Sequence, residues 1–287
     1  MSTLYVPYFG LREEPFGMTP DPRFLFLSRQ HQEGLAHLLY GLTQEGGFVE
    51  LSGEVGTGKT TLIRRLLEQL PPGVEVALIL NPKQTPKALT LNLLRELRAD
   101  LAPNANRLDL PTLIGLVYQH LFSIYRKGQR AILIVDEAQA LSVETLEQIR
   151  LLTNLETRQE KLLQIVLVGQ PEIDELLDRA ALRPLRNRIT ARFHLGPLTA
   201  RETSEYIAHR LAVAGLSSSL FTPGATRLIH HHARGFPRTI NILCSRALLA
   251  AYVTGERIVG RNLIRQAARE LSGRSSAGFW SRWLRPS

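Results

Sequence analysis

The octapeptide Gly53-Glu54-Val55-Gly56-Thr57-Gly58-Lys59-Thr60 has the residue types that grip a polyphosphate. It fits the pattern G-x-x-x-x-G-K-[ST] in full. Glycines at 56 and 58 let the backbone curl so that successive N–H groups face phosphate oxygens. Lys59 is then expected to reach the β- and γ-phosphates. The Thr60 hydroxyl would coordinate Mg²⁺, and Thr61 completes the nucleotide-binding set. Further along, Ala131-Ile-Leu-Ile-Val-Asp-Glu137 is an apolar run ending in two acids. Asp136 would hold the metal, and Glu137 would polarise the attacking water. Together these residues predict binding and hydrolysis of Mg-ATP, with Lys59 and Glu137 as catalytic groups.

Such chemistry needs strands that deliver the loop and the acids to one edge. Phe48–Ser52 reads as a strand running into the glycine loop, and a helix from 59 to 69 aims its positive end at the phosphates. Further strands are expected at 74–80, 131–135, 164–169 and 191–195, with helices at 86–100, 110–127, 142–156 and 171–180. The continuous apolar runs suit strands buried on both faces, and the alternation predicts a parallel sheet flanked by helices. After Pro197 only helical patterns remain, at 199–214, 223–234, 237–254 and 260–271. The expected divisions are an N-terminal arm and helix (1–45), an α/β core (46–197), a helical lid (198–272) and an Arg/Trp tail (273–287).

Three other groups could touch the nucleotide. Gln170 follows the 164–169 strand and could contact the γ-phosphate or the lytic water. Arg183, Arg186, Arg188 and Arg192 precede or enter the last strand, where a finger could reach a neighbouring subunit's nucleotide. Arg188 is the first choice and Arg183 the second. Arg238, in Gly235-Phe-Pro-Arg238, opens a helix initiated by Pro237 and could fold over the nucleotide. His230-His231-His232 cannot share a metal, because adjacent helical positions diverge by ~100°.

The net charge of +9 admits a nucleic-acid partner. The single cysteine, Cys244, excludes an internal disulfide and reads as a buried small hydrophobe. No secretory leader is visible and no apolar run reaches membrane-span length, so a cytoplasmic site is expected.

The chain resembles the ExeA/GspA family of AAA+ ATPases of general secretion pathways, and equally its relatives in MSHA-type pilus assembly. The resemblance rests on Tyr8-Phe-Gly-Leu-Arg-Glu-Glu-Pro-Phe16, Thr19-Pro-Asp-Pro-Arg-Phe-Leu25, Leu35-Ala-His-Leu-Leu-Tyr-Gly41, Val135-Asp-Glu-Ala-Gln139, Leu167-Val-Gly-Gln-Pro171 and Gly235-Phe-Pro-Arg238. It implies an AAA+ core with a five-stranded parallel sheet and a small all-helical lid. It further implies a homo-oligomer, as ring or filament, that couples ATP turnover to assembling envelope machinery through a protein partner. By the same resemblance the arm lies near the adenine, with Phe16, Pro20 and His31 lining the base pocket. Phe279, Trp280, Arg282 and Trp283 in the tail could rest at a membrane surface. The alternative is a DNA-bound transposition regulator of the TnsC/TniB kind.

Overall fold

The computed structural model describes residues 4–19, 21–43, 47–80, 83–157 and 160–271. The chain divides into two compact units. One is residues 29–196; the other joins the arm up to Ser28 with everything from Pro197 onward. In chain order, a four-residue helix α1 (Tyr5–Tyr8) opens the arm, and α2 (Arg29–Thr43) leads into β1 (Phe48–Ser52). The glycine loop and α3 (Lys59–Gln69) follow, then β2 (Val74–Ile79) and the pair α4 (Pro86–Glu96) and α5 (Leu110–Arg126). Next come β3 (Arg130–Val135), α6 (Val143–Leu152), β4 (Leu163–Gly169), α7 (Glu172–Leu177), the short α8 (Arg183–Arg186) and β5 (Ile189–His194). The second unit is built from α9 (Ala200–Val213), α10 (Pro223–Ala233), α11 (Pro237–Thr254) and α12 (Arg261–Leu271).

All five strands are parallel, in the order β2-β3-β4-β1-β5. Alternate side chains of the central strands enter different cores. Ala131, Leu133, Val135, Leu163, Ile165 and Leu167 join one, whereas Ile132, Ile134, Val166 and Val168 join the other. That double coverage is why β3 and β4 read as unbroken apolar runs. The order β4-β1 beside β3 also brings the glycine loop after β1 to the same carboxyl edge as Asp136, where ligands of such sheets collect.

Local chemistry fixes the helix starts. Thr85 and Ser142 each accept a first-turn amide, from Ala88 at 3.3 Å and Thr145 at 3.1 Å. Thr199 and Glu202 form a reciprocal capping box. Several helices end earlier than their patterns suggest. The one expected over 86–100 stops at Glu96 because Arg98 turns left-handed (φ 56°) and the Ala99 amide bonds back to Leu94 O at 2.9 Å. The one expected over 171–180 stops at Leu177, and a separate short α8 starts only at Arg183, with Pro184 in its first turn.

In the helical unit, the arm is core. Tyr5, Phe9, Leu11, Phe16 and Phe24 are buried in one cluster with Ile207, Leu211, Phe221 and Leu248. Arg210 fastens it: Nε donates to Pro15 O, Nη2 donates to Gly17 O at 3.2 Å, and the guanidinium lies 4.5 Å over the Phe24 ring. Contacts therefore divide the N-terminal stretch at Ser28, sending the arm to the helices and α2 to the sheet. Cys244 is fully buried there, and burial raises its thiol pKa. The tail 273–287 and Pro20 lie outside the described residues. Among the described residues no helix is long and apolar enough to cross a membrane.

Candidate functional site: a phosphate cradle at the sheet edge

Three glycines make the cradle's backbone. Gly53, Gly56 and Gly58 all have positive φ (155°, 84° and 107°). At Gly53 a Cβ would stand 2.5 Å from the Leu195 carbonyl oxygen, and at Gly58 it would stand 2.8 Å from His31 Nε2. No other residue type fits either position without displacing backbone or a buried ring. Thr57 closes the turn, its Oγ1 donating to Glu54 O at 3.0 Å. Val55 stands out into solvent at 52% exposure.

Lys59 opens α3 and is almost fully buried. Its Nζ donates to Gly53 O at 2.5 Å and to Glu54 O at 3.0 Å. Burial lowers its pKa, opposed by Glu137, Asp136 and Glu54. The ammonium thus spans the loop's own carbonyls, centred where a polyphosphate would displace them. Thr60 follows, its Oγ1 donating to Asp136 Oδ2 at 3.3 Å. Thr61 is half-buried in the same turn. A hydroxyl and a carboxylate facing each other are the hard oxygen donors that suit Mg²⁺. Burial raises the Asp136 pKa, and the adjacent Glu137 charge raises it further. A divalent cation would offset that strain, so the donor set fits the metal.

Glu137 is held by glutamines. It sits at φ 54° just beyond β3, its amide donating to Asp136 Oδ1 at 2.9 Å. Gln139 Nε2 donates to Glu137 Oε2 at 2.5 Å, and Gln170 Nε2 donates to the same oxygen at 3.0 Å. Gln139 Oε1 in turn accepts the Gln170 backbone amide at 3.0 Å. Burial alone would raise the Glu137 pKa, but these two bonds and Lys59 outweigh it and keep the pKa low. A Cβ at Gly169 would stand 2.9 Å from Gln139 Oε1, so that glycine leaves room for the clamp. Gln139 was missed as a site residue. Its only signal was its place two residues after Glu137.

Polar groups on β1 and β5 extend the site. Ser52 Oγ hydrogen-bonds His194 Nδ1 at 3.1 Å, and His194 Nε2 lies 3.5 Å from Glu54 Oε2. Deeper in the sheet, Glu50 is 1% exposed and pairs with Arg192 Nε at 3.3 Å. Burial, together with the Asp174 carboxyl beside it, pushes the Glu50 pKa up to about 8, against the pull of Arg192.

The arginines before β5 separate clearly. Arg188 Nη1 donates to Arg150 O, Thr153 Oγ1 and Asn154 Oδ1 at 3.3, 2.9 and 2.7 Å, so it closes the carboxyl end of α6. Arg186 pairs with Asp178 and Arg192 with Glu50. Arg183 is exposed and, among the described residues, makes no side-chain hydrogen bond or ion pair. Arg238 is exposed in the first turn of α11, in the helical unit. Phe16, expected at a base pocket, is instead a core residue at 1% exposure, edge-on to Phe221. His31 does abut the loop, at Gly58.

A family model described as an AAA domain matches residues 42–177. General secretion pathway protein A of Aeromonas hydrophila is 46% identical over 281 residues, covering 98% of this chain and 51% of that protein. The chain thus spans about half the length of that curated relative. Among solved structures, Cdc6p from Pyrobaculum aerophilum matches with a TM-score of 0.69 at 18% identity, over 88% of this chain and 71% of that one. The Aeropyrum pernix ORC2 protein matches at 0.65 and 18%, over 90% and 71%. The Thermotoga maritima RuvB branch migration motor matches at 0.55 and 20%, over 84% and 68%. At such identities the likeness is one of fold. With nearly its whole length aligned at 46% identity to the secretion protein and an AAA-domain match over 42–177, this chain is similar to the ExeA/GspA-type AAA ATPases.

Proposed function

We propose that the chain binds and hydrolyses Mg-ATP as a homo-oligomer and uses the turnover to drive assembly of a secretion or type IV pilus machine at the inner face of the cytoplasmic membrane. The observation that carries the hydrolytic part is the convergence of Lys59, Thr60, Asp136 and Glu137 at one sheet edge. Identity to a general secretion pathway protein supports the biological setting.

In this reading the loop amides from Gly53 to Thr60 and the Lys59 ammonium bind the phosphates. Lys59 exchanges its two loop carbonyls for phosphate oxygens, a trade of neutral acceptors for charged ones that strengthens each bond. Thr60 and Asp136 would hold Mg²⁺, which supplies charge neutralisation at the transferred phosphoryl group. Glu137, ionised at neutral pH, accepts a proton from the attacking water once its carboxylate turns from Gln139 and Gln170. Gln170 then has its amide free for the γ-phosphate. Arg183 replaces Arg188 as the finger toward a neighbouring subunit, because Arg188 is committed to α6 and Arg183 is uncommitted. Arg238 senses the nucleotide from the helical unit.

Two substitutions test this. Lys59→Ala should reduce affinity for Mg-ATP at least ~100-fold with the fold intact, read by titration of a fluorescent nucleotide and by circular dichroism. Glu137→Gln should keep that affinity and lower phosphate release by about 10²–10³-fold. Wild-type protein with no saturable affinity for Mg-ATP sinks the proposal, and undiminished release by Glu137→Gln removes that residue's role.

A further inference from the structure

The basic excess of the chain is not spread over its two units. Residues 29–196 carry twenty lysines and arginines against nineteen acids, close to neutral. The other unit, over residues 4–28 and 197–271, carries twelve arginines, no lysine and seven acids. Some of those arginines are engaged: Arg210 holds the arm, Arg201 pairs with Glu205, and Arg257 donates to Tyr8 O. A different set gathers on α10 and α12.

These two helices start side by side. Phe221 and Val259 form a parallel bridge just before them, with the Thr222 amide donating to Val259 O at 3.1 Å. Between their first turns lies a cleft of ≈ 490 Å³, whose wall carries Arg227 of α10 and Arg261 of α12. Two glycines shape it. Arg261 crosses Gly224 so closely that a Cβ there would stand 2.9 Å from its Nε, and Gly260 is among the lining residues. Arg227 Nε is steadied by Pro223 O at 3.3 Å. Thr222 and Asn262 add neutral polar groups, and Glu256 is the one acid at the rim. From the cleft, Arg265 and Arg269 continue the row from Arg261 at four-residue spacing, spanning ~12 Å of one helix face. Arg265 is exposed.

We propose that this face of the helical unit binds the phosphodiester backbone of duplex DNA, without reading sequence. Guanidinium forks match phosphate oxygens bidentately, and a row on one helix face can follow successive phosphates of a strand. A bilayer surface fits less well. The apolar stripe of α12 (Leu263, Ile264 and Ala267) is already buried in the unit's own core. Of the large apolar residues from Ile258 to Leu271 only those two, far apart in sequence, stay exposed, too little apolar surface for insertion. The site shares no residue with the phosphate cradle, so each can fail alone.

The test is fluorescence anisotropy with the whole chain and a labelled random duplex of about 30 base pairs, at about 50–200 mM salt. Wild type should bind with an affinity that falls steeply as salt rises. Arg261→Glu/Arg265→Glu should weaken binding at least ~10-fold and reduce the salt slope by about 2, since each lost phosphate contact removes ~0.9. Arg201→Glu, on α9, should leave affinity within about twofold. Nucleotide affinity should be unchanged in all three proteins. Should the reversal pair misfold by circular dichroism, Arg261→Gln/Arg265→Gln decides instead, a loss supporting the site and no loss overturning it. Absence of duplex binding at ~50 mM salt overturns the proposal. So does unchanged affinity in the pair, or binding to phosphatidylglycerol vesicles but not to duplex.

Discussion

The two units use charged side chains in opposite ways. In the sheet unit nearly every functional group is held by another: Lys59 by loop carbonyls, Glu137 by two glutamines, Thr60 by Asp136, Arg188 by the end of α6. In the helical unit a buried arginine welds the arm to the core, while on α10 and α12 the exposed Arg227 and Arg265 donate to neutral oxygens, Pro223 O and Asn262 Oδ1, rather than to acids. The contrast teaches that a site of fixed chemistry is preorganised by paired groups. A surface meant for an extended polyanion has no need of such pairing, because its partner supplies the counter-charge.

The largest effect should come from separating the two arginines that precede β5. Arg183→Ala should lower phosphate release about 10²–10³-fold with little change in thermal midpoint, as expected of a group that acts on a neighbour's nucleotide. Arg188→Ala should do the reverse: it unties the α6 carboxyl end, costing about 1–2 kcal/mol in chemical denaturation, with turnover preserved. Full turnover by Arg183→Ala, with loss only in Arg188→Ala, would restore Arg188 as the finger and blur the contrast.

The glutamine clamp offers a sharper, smaller test. Gln139→Ala removes one of two donors to Glu137 Oε2, so the carboxylate should become less acidic. Sign and window follow. With its pKa raised, the ionised base is lost at higher pH, so the acid limb of the turnover profile should move upward. An acid limb that stays in place in the variant means Gln139 does not govern the base.

A third measurement concerns Glu50, an acid of the sheet unit that is 1% exposed. Its folded pKa of about 8 lies above the unfolded value, so the native state binds the extra proton between the two. Stability from this group is complete below the unfolded carboxyl range and is lost as pH rises through about 8. Unfolding free energy should fall by about 1–2 kcal/mol from pH 6.5 to 8.5, and Glu50→Gln should flatten that slope. An equal slope in both proteins assigns the pH dependence elsewhere.

What could be read from sequence follows the same contrast. The strands and the Gly53–Thr60 loop were legible because their residue types are dictated locally: glycines for positive φ, apolar runs for double burial, an acid pair at a strand end. Gln139 and Arg188 were not, since their partners lie far along the chain, at Gln170 and Asn154. Phe16 was misread as a ligand group for a similar reason. Aromatics and prolines announce an arm, but only the fold shows that the arm is a missing layer of the helical core. The end of α4 turned on a left-handed arginine, a conformation no periodicity reveals.

The short line from Ser52 through His194 to Glu54 has a mechanical consequence. His194 is the last residue of β5, and Gly196 two positions on is the last residue of the sheet unit, pinned at its amide by Gln30 Oε1 at 3.0 Å. The phosphate loop and the chain's exit from the sheet thus share one strut. The loop's Glu54 and the last residues of the sheet unit are therefore bound into one line of polar contacts.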